Sequence, residues 1–296
     1  MSRKHPVVAI TGSSGAGTST VTDTFQQIFA REGITSAVVH GDSFHRYDRN
    51  GMKRAYVDAA ASGKVEFSHF GPDANLFEEL EELFREYGRS GTGQIRNYVH
   101  DAAEAAEFGE EPGTFTPWGP LPEGTDLLYY EGLHGAVRTD KVDIARHVDL
   151  RIGVVPIINL EWIQKLHRDR TKRGYTTEAV TDTILRRMPD YVHYICPQFA
   201  NTHINFQRVP VVDTSNPFIA QWIPTADESM VVIRFADPRG IDFPYLLSMI
   251  NGSFMSRPNS IVVPGGKLDL AMQLIFTPLI WRLVESARKT RSGGAL

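Results

Sequence analysis

Residues 6–11, Pro-Val-Val-Ala-Ile-Thr, are apolar and mostly β-branched, and they stop at a glycine-rich stretch, Gly12-Ser13-Ser14-Gly15-Ala16-Gly17-Thr18-Ser19-Thr20. Apolar residues then return at helical spacing, with Val21, Phe25, Ile28 and Phe29 on one face. Gly33 suits a C-cap, and residues 35–40 read as a second strand. Residues 75–87 predict an acidic amphipathic helix whose stripe is Leu76, Leu80, Leu83 and Phe84, its glutamates facing solvent. Further strands are expected at 127–131, at 148–158 with a break at Pro156, at 209–213 and at 230–235. Helices are expected at 160–173, 177–188, 244–250 and 267–287. This alternation argues for an α/β fold with a mostly parallel sheet covered by helices on both faces.

Between residues 88 and 124 the periodicity fails, and Gly, Pro, Thr and Glu dominate apart from a helical hint at 101–108. Long irregular segments are functional or plain surface excursions about equally often. Here Tyr98, His100 and Asp101 form a polar cluster that could face a ligand. No linker or repeat divides the chain, so residues 1–296 read as one domain, with an insertion at about 88–126 and a basic segment at about 160–175.

Strand, glycine loop and helix form the context of a phosphate-binding loop. Backbone N–H groups converge on phosphates there, and the helix N-terminus adds a positive partial charge. Gly12 and Gly17 have the required separation, and the Ser19 hydroxyl falls where it would reach Mg²⁺. The customary lysine is replaced by Thr18. A unit charge about 4 Å from a phosphate is worth roughly 4 kcal/mol at a surface-like dielectric, so another cation should supply it. Lys165, Arg168 and Asp169 recur at helical spacing within a basic run that ends at Arg173-Gly174, which suits a phosphate clamp on a hinge. The alternative is a solvated helix end, where cations favour the dipole.

Two acids end apolar strands beside the loop. Glu131 suits a metal or its waters. Asp42 suits a base accepting a hydroxyl proton, or a helix N-cap. His45 and Arg49 follow Asp42 and could bind an anion.

The net charge of −4 over 296 residues gives no global basic field for nucleic acid. A single cysteine, Cys196, leaves no intrachain disulfide or thiolate cage. The short polar start and the lack of a long apolar run predict a soluble cytoplasmic protein without membrane partners.

Several motifs together resemble the phosphoribulokinase family in its bacterial class: residues 12–20, Gly-Asp-Ser-Phe-His-Arg at 41–46 and Tyr-Glu-Gly-Leu-His-Gly at 130–135. Asn-Leu-Glu-Trp-Ile-Gln-Lys at 159–165, Arg-Gly-Tyr-Thr-Thr-Glu-Ala-Val-Thr-Asp at 173–182 and Val-Val-Asp-Thr-Ser-Asn-Pro-Phe-Ile at 211–219 extend the likeness nearly end to end. The resemblance implies a nucleoside-monophosphate-kinase-like P-loop fold with a mixed sheet. It implies transfer of phosphate from ATP, with Mg²⁺, to O1 of ribulose 5-phosphate in the Calvin cycle. Asp42 would be the base, Glu131 the metal-side acid, Asp169 a second essential acid and Lys165 a transition-state cation. His45, Arg49, Arg168 and Arg173 would hold the sugar phosphate. An octamer activated by NADH and inhibited by AMP is also implied, with Arg31, Arg187, Arg234 and Arg257 linked to that regulation. A uridine-kinase-like phosphotransferase and a non-catalytic nucleotide sensor are the competing readings. The first needs no anion-binding set, and the second leaves Asp42, Glu131 and Asp169 unexplained.

Overall fold

In the computed structural model, residues 4–12, 18–64, 67–220 and 222–293 are described, and the side chains of residues 18–20, 172 and 173 lie outside that description. The opening apolar run forms β1 (Val7–Thr11), buried throughout, and α1 (Thr18–Glu32) follows. Then come β2 (Ser36–His40), α2 (Arg49–Ala61) and α3 (Phe77–Ser90). The insertion carries β3 (Gln94–Ile95), α4 (Ala102–Phe108) and β4 (Gly119–Pro120). Beyond it lie β5 (Leu127–Gly132), β6 (Leu150–Val155), α5 (Ile158–Arg173), α6 (Thr177–Asp190) and α7 (Gln198–Asn201). The chain closes with β7 (Ile204–Pro210), β8 (Ser229–Phe235), α8 (Phe243–Met249), β9 (Phe254–Arg257), β10 (Ser260–Pro264) and α9 (Leu268–Ser292).

Eight strands form one sheet in the order β2-β5-β1-β6-β7-β8-β10-β9. The pairs from β2 to β7 are parallel, and those from β7 to β9 are antiparallel. Alternate side chains of a strand leave opposite faces. Val8 and Ile10 therefore join Phe25, Ile28, Phe29 and Phe276 under α1 and α9, while Val7 and Ala9 join Leu80, Phe84 and Tyr130 under α3. Helices thus cover both faces, as the alternation predicts.

Some expectations shift. The strand expected at 209–213 is β7, which ends at Pro210; Ile204 and Phe206 point into the core and Val211 is exposed. The strand expected at 148–158 ends at Val155, before Pro156. Helix α2 lacks an apolar stripe, with Ala59 its buried residue, and it forms behind an Asp48 N-cap that accepts from the Gly51 N–H. The hairpin of β9 and β10 was not expected.

The insertion is more ordered than its composition suggests. Helix α3 runs to Ser90 and ends at Gly91, whose φ of +75° favours glycine. Strands β3 and β4 pair, and Asp101 caps α4 by accepting from the Ala103 and Glu104 N–H groups.

Candidate active site

The carboxyl ends of β2 and β5 lie side by side, with His40 opposite Glu131 in register. A Cβ on Gly41 would stand 2.9 Å from Gly132 Cα, and one on Gly132 would stand 2.7 Å from Gly41 Cα. Only glycine permits that approach, which brings the Asp42 turn next to Glu131. The Gly12 N–H donates to the Gly132 carbonyl at 3.1 Å, so the start of the glycine loop joins the same strand ends. Thr11 Oγ1 donates to the Leu133 carbonyl, and the Gln198 side chain holds that carbonyl, the Tyr194 carbonyl and the Ala136 N–H. The loop after Glu131 is therefore fixed by buried polar contacts.

Asp42 lies on a 3₁₀ turn, Gly41–Phe44, with its carboxylate 47% exposed. Two expected substrate residues meet on it: His45 Nε2 is 3.1 Å from Oδ1, and His100 Nε2 is 3.0 Å from Oδ2. Burial alone would raise the Asp42 pKa, but the hydrogen bonds from His100 and His45 hold it well below the ordinary carboxylate range. The same Asp42 contact, against burial and with help from Glu104, pushes His100 up to about 9. Arg49 donates to the His100 carbonyl at 3.0 Å, and the Tyr98 ring packs edge-on against His100. Asp42, Tyr98 and His100 line a cavity of about 220 Å³. A larger one, about 870 Å³, lies among Arg46, Arg54, Lys64 and Lys141 and holds none of the expected site residues.

The second cluster is on α5. Lys165 Nζ is 2.6 Å from Asp169 Oδ2, and Arg168 Nε is 3.2 Å from Oδ1. Burial would raise the Asp169 pKa, but Lys165 and Arg168 hold it down. Lys165 is also lowered, chiefly by burial, with Arg187 and Arg168 adding to it. Gly174 follows the helix with φ +69°, a left-handed C-cap.

Ser13, Ser14, Gly15, Ala16 and Gly17, and the side chains of Thr18, Ser19, Thr20 and Arg173, lie outside the described residues. Glu131 is partly exposed and 3.7 Å from His40 Nδ1. Among the described residues no group of three or more His, Cys, Asp or Glu could hold a metal ion. A single strand-end carboxylate instead fits Mg²⁺, which keeps water and phosphate oxygens in its shell.

The four arginines linked to regulation are not gathered in one place. Arg31 donates to Gln273 and Thr277 and ties α1 to α9. Arg187 lines a small cavity with Phe70, Lys165 and Tyr191. Arg234 and Arg257 are both in register with Ser260, on either side of β10.

Sequence reasoning passed over several residues that shape the site. Arg96 donates to the Ser43 and His45 carbonyls and stacks on Phe115, so the insertion clamps the Asp42 turn. Asn75 and His69 pack behind His45. His134 holds the Phe70 carbonyl through Nε2 at 2.9 Å. Their partners lie far away in sequence, and no local pattern marks them.

A parallel five-strand core with a glycine-rich sequence directly after β1, acids at the ends of the adjoining strands and a basic helix nearby defines a P-loop phosphotransferase. The chain belongs to the Phosphoribulokinase / Uridine kinase family, whose model matches residues 7–215. It is 68% identical to the phosphoribulokinase of Nitrobacter vulgaris over 98% of this chain and 100% of that one. Against the chromosomal phosphoribulokinase of Cupriavidus necator it is 67% identical over 98% and 99%. The solved phosphoribulokinase from Rhodobacter spheroides superposes with a TM-score of 0.90 at 62% identity, covering 97% of this chain and 100% of that one. Among the described residues no helix is long and apolar enough to cross a membrane.

Proposed function

We propose that this chain transfers the γ-phosphoryl group of ATP to O1 of D-ribulose 5-phosphate, forming ribulose 1,5-bisphosphate and ADP in the Calvin cycle. The observation that carries the reading is the convergence of His45 and His100 on Asp42, with Arg49 beside them. A base among cations suits an acceptor that itself bears a phosphate. Uridine bears none, which, with the full-length likeness to enzymes named phosphoribulokinase, disfavours the uridine-kinase reading.

In this reading Asp42 accepts the O1 proton. A carboxylate held that low is a poor base. One of its cationic partners, His100, is free to turn to the sugar phosphate, and as it does so Asp42 recovers basicity, while His45 adds charge for that phosphate from where it stands. Turnover is thereby tied to the presence of the sugar. Arg49, Arg168 and Arg173 add charge for the phosphate, with Tyr98 supporting His100. Lys165, oriented by Asp169, supplies the cation that Thr18 does not. Bound Mg²⁺ neutralises phosphate charge, and Ser19 and Glu131 are the residues that would hold it. The adenine would take a cavity of about 390 Å³ beyond the end of β7, lined by Ile163, Asn216, Ile219 and Trp222. A cytoplasmic octamer with NADH activation and AMP inhibition completes the proposal. Arg234 and Arg257, flanking Ser260 at the antiparallel side of the sheet, support an effector role remote from Asp42.

ADP release measured with ribulose 5-phosphate, with uridine and with ATP alone tests this. Turnover is expected only with the sugar phosphate. Asp42→Asn should keep ATP binding while losing 10²–10⁴-fold in kcat, as for removal of a general base. Equal turnover with uridine, or none with either acceptor, would overturn the reading.

A further inference from the structure

Asn75 is 2% exposed and hydrogen-bonded on every side. Its Nδ2 faces the His69 and Gly71 carbonyls at 2.9 and 2.7 Å. Carbonyl oxygens only accept, so the amide nitrogen must occupy that position and Oδ1 must face His45. Oδ1 stands 2.8 Å from His45 Nδ1, which therefore carries a proton to donate. The other ring nitrogen, Nε2, stands 3.1 Å from an oxygen of Asp42. A carboxylate also only accepts, so Nε2 carries a proton too. The ring cannot turn over to present a lone pair without breaking the Asn75 contact.

We propose that Asn75 is a positioning residue that keeps His45 a permanent cation against Asp42, so that His45 is a fixed electrostatic partner and His100 the exchangeable one. The inference deepens the kinase reading and rests on it for its functional consequence. The contrast lies in the second nitrogen of each ring. His45 is anchored by a buried amide that cannot titrate, whereas His100 Nδ1 rests on Glu104, a half-exposed acid on α4. The backbone agrees, because His45 and Asn75 form a β-bridge and Arg46 donates to the Asn75 carbonyl. The charged and titratable groups around His45 are Asp42, which favours its charge, and Arg96, His69, His100 and His134. Burial opposes the charge, yet the Asp42 and Asn75 contacts raise the His45 pKa overall. His69 and His134 are pushed the other way by burial, so they add no competing charge.

Neutron diffraction from the intact protein, at a pH above the ordinary histidine value of 6.5, reads the ring directly. Deuterium is expected on both His45 nitrogens. A ring carrying a single deuterium overturns the proposal, whatever the enzyme phosphorylates. In solution, Asn75→Asp keeps an acceptor for Nδ1 but loses the donor to the His69 and Gly71 carbonyls, whereas Asn75→Leu loses both. The Leu variant should lose on the order of tenfold in kcat/KM for ribulose 5-phosphate, increasingly as pH rises, with KM for ATP unchanged. The Asp variant should lose activity and stability through those carbonyl contacts but keep the shape of the parental pH profile. Equal, pH-independent losses in both would mean that Asn75 only holds the fold, and the proposal would fail. Absence of ribulose 5-phosphate turnover in the parent would sink the kinase reading and leave the neutron result standing.

Discussion

Replacing Lys165 separates a catalytic cation from a structural one. Its ammonium is 2.6 Å from an Asp169 oxygen, and the two side chains are only 16% and 4% exposed. At that distance and an effective dielectric of about 20, the pair attraction is roughly 6 kcal/mol, most of it offset by the cost of burying the charges. Removing one partner of a buried pair typically costs 3–5 kcal/mol, because the other charge is left uncompensated. Arg168 remains on the other Asp169 oxygen at 3.2 Å, so Lys165→Met should lose about 2 kcal/mol of stability rather than the full amount. Its kcat should fall on the order of 10²–10³-fold, as for loss of one preorganised stabilising donor. ATP affinity should barely change if the cation acts late. The double variant Lys165→Met/Asp169→Asn removes the acid that Lys165 had balanced and should recover part of the lost stability without recovering kcat. Thermal unfolding, steady-state kinetics and direct nucleotide titration read the three quantities. Recovery of kcat in the double variant would show that Lys165 serves only to neutralise Asp169. Loss of ATP affinity with kcat intact would make it a ground-state anchor.

Gly132→Ala would put a Cβ 2.6 Å from Tyr130 Oη and 2.7 Å from Gly41 Cα, forcing the ends of β2 and β5 apart. It should cost about 1–3 kcal/mol of stability, with kcat falling up to about 10²-fold by displacement of Asp42; parental kcat would refute the close-approach argument. His100 is raised from 6.5 to about 9 in the folded protein. Its contribution to stability is therefore complete below 6.5 and lost as pH rises through about 9. At half exposure this amounts to no more than ~1 kcal/mol, and a pH-independent difference in unfolding midpoint between parent and His100→Gln would refute it.

The parts legible in the sequence are those whose cause is local. Asp42 and Glu131 were readable because each stands at the carboxyl end of an apolar run and adjoins a glycine. Lys165 and Asp169 were readable because a four-residue spacing puts them on one helical face. The meeting of His45 and His100 on one carboxylate was not, since 58 residues separate Asp42 from His100. Nor was Arg96, whose guanidinium reaches back more than fifty residues to the Asp42 turn. Helix α2 escaped because it buries little and shows no stripe. The strand β7 was misplaced by a few residues because Val209-Pro-Val-Val reads as apolar, while the alternation that seats the strand begins earlier, at Ile204.

The segment between Ser68 and Asn75 joins the two charged clusters, and its chemistry explains how they coexist. Ser68 Oγ donates to Asp190 at the end of α6 at 2.7 Å, and the Arg187 guanidinium lies 6.0 Å over the Phe70 ring. At its other end, Asn75 holds His45. His69 lies between, and burial with the charges of Arg187, His45 and Lys165 keeps its pKa well below the ordinary value. A protonated ring there would repel both the cations near Asp169 and those near Asp42. A neutral one lets both clusters keep their charges near each other. Between the Asp42 cluster and the Lys165–Asp169 cluster the buried polar side-chain groups of this segment are the Ser68 hydroxyl, the neutral His69 ring and the Asn75 amide, while its acid, Asp73, is exposed and pairs with Lys64. A change near Asp169 would then reach Asp42 by moving this segment rather than through a charge on His69.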